Sequence, residues 1–211
     1  MTATDFLKQL RSISLDSRAA FSASVISLPK LAAAEAVAAM LKDSDFGVRI
    51  NAIKAIRKFE LDIYEKELIL LLIDPEDEVR VAALKSLCSF GKSEHFKLAK
   101  AFYEENSSLR HLVIDSFVNF SDLYDAHLFI FNQLDSTNEK IRQNAEEWFE
   151  KMLGKDIFQP WIADIYEESP WSLRLIFEEI FSHRLNLLFN NAKYGYRFKL
   201  LYLIKRGKLE L

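Results

Sequence analysis

One cysteine, Cys88, stands among 211 residues, so no intrachain disulfide can staple the fold. It follows Leu87 near the end of a predicted helix and reads as a core or boundary thiol rather than a nucleophile. Five glycines and four prolines are few for this length, which disfavours a many-turned all-β fold and favours helices. Long apolar runs are missing too: the strongest, Leu68 to Ile73, is far too short to span a bilayer. Residues 1–12 lack a basic stretch followed by an apolar one, so no secretory signal and a cytoplasmic location are expected. Excess positive charge is also absent. A formal net charge of −3 argues against general nucleic-acid binding, which needs a basic surface to displace phosphate counterions.

The familiar catalytic motifs are missing as well. There is no Gly-rich phosphate loop, no H-E-x-x-H zinc motif and no G-x-S-x-G nucleophile elbow. His95, His111 and His127 fall on three different predicted helices with no carboxylate or cysteine at metal spacing, so they read as surface or boundary histidines. No catalytic residue, metal or cofactor is expected.

What the chain does have is hydrophobic material and a period. Half the residues are hydrophobic and 13% are aromatic, ample for a core. Six arginines, Arg18, Arg49, Arg80, Arg110, Arg142 and Arg174, stand 31, 31, 30, 32 and 32 residues apart. Such a period marks a chain built by stacking one unit. With each arginine as zero, positions −1, +3, +4, +7 and +10 are apolar. They are Val48, Ala52, Ile53, Ile56 and Phe59 in one unit, and Val79, Ala83, Leu84, Leu87 and Phe90 in the next. That spacing is one face of an α-helix. A second helical stretch precedes each, at Pro29 to Leu41, Asp62 to Ile73, Ser93 to Glu104, Asp122 to Leu134 and Lys155 to Glu168. Short polar turns join the two. Asp74-Pro75 and Ser169-Pro170 place a capping residue before a proline, which suits a helix start.

The order of acid, short turn, Val-Arg, then Ala and Leu resembles HEAT repeats, particularly the short bacterial HEAT-like kind that includes bilin-lyase-type proteins. It stands as Asp43, Val48-Arg49, Ala52 and as Asp74, Val79-Arg80, Ala83. The resemblance covers roughly residues 12–190. It implies an all-α fold: a right-handed α-solenoid of about six to seven helical hairpins forming one domain over 1–211, with a cap region at 1–28 and an irregular cap at 185–211. It also implies that acid and arginine form a structural ladder between adjacent units. The residues are Asp43, Arg49, Asp74, Arg80, Glu104, Arg110, Arg142, Glu168 and Arg174, with Ser136 replacing the acid before Arg142.

In such a stack the second helices line the concave face, where a non-enzymatic scaffold would bind another protein. Departures from the repeat are where individual function can show. At +4 the apolar residue gives way to Glu146 and Glu178, followed by Glu147 and Glu179, whereas earlier units carry Lys54 and Lys85 at +5. Together with Glu150 these are the candidate binding residues, read as a docking stripe for a partner with a basic segment or as a solvated face. Trp148, Trp161 and Trp171 cluster in two adjoining units, as core or as interface anchors. Two rivals stay open. HEAT-like glycosylases that remove alkylated bases are faintly echoed by Trp161 and Asp164 on one helix, and HEAT-like bilin lyases have similar repeats without a pigment site nameable here.

Overall fold

A computed structural model describes residues 1–120, 123–153, 165 and 168–176, with side chains through Phe149, at Ile165 and at 168–176. Every regular element among them is helical, and no strand occurs among the described residues. The chain forms two compact units, Met1–Phe120 and Ser121–Leu211. The arginine grid crosses that boundary without a change in spacing.

In the first unit the helices are α1 (Ala3–Ser12), α2 (Leu15–Ser22), α3 (Lys30–Met40), α4 (Phe46–Phe59), α5 (Glu65–Leu70), α6 (Asp77–Ser89), α7 (Ser93–Glu105) and α8 (Arg110–Val113). α4 packs against α2, α3 and α6, and α6 packs in turn against α5, α7 and α8. Ala52 and Ala83, the small residues at +3, are fully buried, as are Ile56, Leu84 and Leu87. Burying each such leucine or isoleucine contributes roughly 1.5–3 kcal/mol.

Local chemistry sets the helix ends. The Asp45 carboxylate caps α4, accepting from the Gly47 N–H at 2.8 Å and the Val48 N–H at 3.4 Å. Gly47 also lets α2 come close, because a Cβ there would lie 2.7 Å from Ala19 Cβ. α4 stops at Glu60, a left-handed residue with φ 52°, and the Leu61 N–H reaches back to the Ile56 carbonyl at 3.0 Å. One expected start moves. α6 begins at Asp77 rather than at Pro75, because Glu76 is still extended (φ −92°, ψ 125°) and takes the N-cap position, while Asp74 is extended (φ −58°, ψ 145°) as a residue before proline prefers. The Asp74 side chain does not cap the helix. It closes the turn instead, accepting from the Glu76 N–H at 3.0 Å. After α8 the chain tightens into a 3-10 helix over Ile114–Phe120, a stretch holding Asp, Ser, Val and Asn, all weak helix formers.

The second unit contains α9 (Tyr124–Phe131), a 3-10 turn (Asn132–Asp135) and α10 (Glu139–Leu153). Phe131 meets Phe149 edge to face at 5.7 Å, and Trp148 packs on the His127 ring at 5.0 Å. Residues 171–176 are helical. No described helix is long and apolar enough to cross a membrane.

Candidate binding groove and the arginine turns

Five of the six grid arginines share one job. Arg49 Nη1 donates to the Asp43 and Ser44 carbonyls at 2.9 and 3.2 Å, and Arg80 Nη1 donates to the Asp74 and Pro75 carbonyls at 2.6 and 3.1 Å. Arg110 donates to the Tyr103 and Glu104 carbonyls at 2.7 and 2.9 Å. Arg142 donates to the Ser136 carbonyl at 2.9 Å, and Arg174 to the Ser169 carbonyl at 2.6 Å. Each of these five guanidiniums thus binds carbonyls at the end of the preceding helix or in the turn just after it.

A charge ladder is superimposed on two of these turns. Arg18 pairs with the Asp43 carboxylate, and Arg49 with that of Asp74 at 2.8 Å; in each case the arginine reaches 25 residues ahead, into the next turn. The same two carboxylates close their own turns on the Asp45 and Glu76 N–H groups. Arg80 departs from the pattern: its ion pair is with Asp77 of its own helix. Ser136 keeps the turn closure, accepting from the Asn138 N–H at 3.3 Å, but carries no charge. Glu168 accepts a hydrogen bond from the Tyr124 hydroxyl at 2.8 Å, and Glu104 contributes its carbonyl rather than its carboxylate to Arg110.

Beside these turns, the described residues form a groove of about 480 Å³ across α4, α6 and the start of α8. Its floor is Ile50, Ile53, Val81, Ala82, Leu109 and Leu112; its rim carries Lys54, Arg57, Lys85, Asp77 and Glu78. Lys54 and Lys85, nominated from the +5 offset, therefore line one groove. Lys85 Nζ lies 3.1 Å from Asp115 Oδ2, so it is paired along the row, while Lys54 is exposed. Sequence reasoning named Ile53 at +4 but missed Ile50, Val81, Ala82 and Leu112. Ile50 and Val81 both stand at +1, outside the core stripe, and the repetition of an apolar residue there was the available signal. Ser86 also stands in the lining, its hydroxyl buried without a hydrogen-bond partner.

The acidic candidates lie in the second unit. Glu146 is half-buried and Glu147 exposed, both on α10. The Glu150 side chain, Glu178 and Glu179 lie outside the described residues, as do Trp161, Asp164 and the expected cap at 185–211. Trp148 is buried and Trp171 is 51% exposed.

Two of the three histidines correct the expectation of surface placement: His95 and His127 are buried, and His111 is half-buried. His95 Nε2 lies 3.1 Å from Glu65 Oε1, and Lys92 binds the same carboxylate. Hydrogen bonds from Lys92 and then His95 hold the Glu65 carboxyl below its usual range, and the Glu65 carboxylate raises Lys92 in return. Burial and the nearby Asp115 carboxylate push the Cys88 thiol up to about 12, so it is no nucleophile at neutral pH. Among the described residues, no three His, Cys, Asp or Glu side chains converge as a metal site would require.

No family model matches the chain, and no curated protein matches it. Among solved structures it is similar to the crystal structure of an engineered protein, at 16% identity over 92% of both chains, with a TM-score of 0.47.

Proposed function

We propose that the chain is a non-enzymatic protein-interaction module, a HEAT-like right-handed α-solenoid that receives a partner on the face formed by its second helices. The observation that carries this reading is the groove on α4, α6 and α8, whose apolar floor is ringed by charged side chains. Interfaces combine a desolvated apolar centre with a polar rim in this way. The arginines are consistent with it, because the Nη groups of Arg49 and Arg80 bind carbonyls and a carboxylate of the chain itself. On α10, Glu146 and Glu147 supply negative charge that would favour a basic segment of a partner.

The test is affinity purification with the full chain, alongside a Leu112→Asp variant that places a charge on the exposed edge of the groove floor. A stoichiometric protein that rebinds when purified, and is lost in the variant, is the expected result. Release of methylated bases from alkylated DNA, or co-purification of a bilin, would replace this reading with one of its enzymatic rivals.

A further inference from the structure

We infer that the groove on α4 and α6 receives a segment of a partner protein carrying apolar anchor residues with an acidic side chain beside them. This occupant presupposes the interaction-module reading above and adds its sign and chemistry. The floor supplies the first reason. Leu112 is 38% exposed, and Ile50, Val81 and Ala82 are only partly covered, although the core beneath them is closed. A volume of about 480 Å³ falls within the range of compact binding sites, roughly 300–1,000 Å³, and suits a few anchoring side chains rather than a whole helix face.

The rim decides the sign. Lys85 is held by Asp115 and Asp77 by Arg80, which leaves Lys54, Arg57 and Glu78. Lys54 and Arg57 are both exposed, stand three residues apart on one face of α4, and have no ion-pair partner among the described residues. Glu78 sits in the first turn of α6, where the positive end of the helix dipole offsets part of its charge. The field over the apolar floor is therefore positive on the α4 side, which complements a carboxylate.

The spread of the site points to a polypeptide. The apolar floor draws on α4, α6 and the start of α8, which calls for more than one anchor, and the carboxylate must lie to one side of them, beside Lys54 and Arg57 on α4. Successive residues of a peptide supply that arrangement, whereas a single hydrocarbon tail does not.

The experiment is selection of a random peptide-display library against the full chain. A selected peptide is then synthesised with a fluorophore and titrated into the wild type and into the double variant Lys54→Glu/Arg57→Glu. Both positions are exposed, so the variant should fold, as circular dichroism would verify. The expected peptides share large apolar residues with an adjacent Asp or Glu, and their binding weakens about tenfold or more in the variant. Changing the peptide's acid to lysine should restore binding to the variant. Selected peptides that are basic, and whose binding is lost on Glu147→Lys, would overturn this inference while leaving the interaction module standing. If no peptide is enriched but dodecanoate binds the wild type and not Leu112→Asp, both readings fall.

Discussion

Replacing Arg49 by methionine should cost far more than the same change at Arg80, although the two arginines occupy equivalent places in the repeat. Each donates from Nη1 to two carbonyls of its turn, so that loss is common to both variants. The carboxylate partners differ. Arg49 and Asp74 have side chains only 10% and 6% exposed, and removing the guanidinium strands a buried carboxylate with the Glu76 N–H as its remaining donor. Arg80 pairs with Asp77, which is 53% exposed and can be solvated when released. Breaking a buried pair from one side costs about 3–5 kcal/mol, whereas an exposed pair contributes about 0–1 kcal/mol. Arg49→Met should therefore lower the unfolding free energy by roughly 2–5 kcal/mol more than Arg80→Met. Urea denaturation followed by circular dichroism measures both. Asp74→Asn completes the cycle, because the amide oxygen can still close the turn while its charge is gone. A coupling of about 1–3 kcal/mol between positions 49 and 74 is expected. Equal costs for the two arginine variants, or no coupling, would refute the claim that the buried rung joins adjacent turns.

Three further outcomes follow from the packing. Glu60→Gly should stabilise the protein by about 0.5–1 kcal/mol, since Glu60 holds φ 52° at the end of α4; a lower thermal midpoint would contradict this. Cys88 should resist a thiol reagent in the folded state and react only as fast as the protein opens, because it is buried with its thiol raised to about 12; rapid labelling without denaturant would show otherwise. Glu65 has a lowered carboxyl, so its contribution is present above the ordinary value of 4.5 and lost as pH falls through the folded value. Glu65→Gln should thus lower stability at neutral pH and flatten the loss on acidification, as stability curves for both proteins against pH would reveal.

The helices were legible in the chain because their cause is local. Apolar spacing and the arginine period place α3 at Lys30–Met40 and α7 at Ser93–Glu105, within a residue or two of the stretches read from periodicity. The turn role of the arginines was legible only in outline. That a carboxylate lies six residues before Arg80 does not tell whether Arg80 turns forward to the next unit or back to Asp77, a choice made by side-chain reach in three dimensions. The rest of the groove floor, beyond Ile53, escaped notice for a related reason. Ile50 and Val81 at +1 look like incidental surface residues until neighbouring helices bring them side by side. His95 was misplaced because burial of a histidine depends on Glu65, thirty residues earlier, meeting it across a helix pair.

The arginine turns also bear on how such a chain can change in length. Asp43 and Asp74 each satisfy an N–H two residues on, while their carbonyls receive an arginine six residues on. A guanidinium has a fixed reach, so one residue inserted into such a turn would detach the carbonyl from its donor and carry the carboxylate away from the preceding arginine. Loops elsewhere in proteins absorb insertions cheaply; these cannot. The tolerated step of growth or loss is then a whole repeat of about thirty residues, added or removed with its own aspartate and arginine, so that each new turn arrives already satisfied.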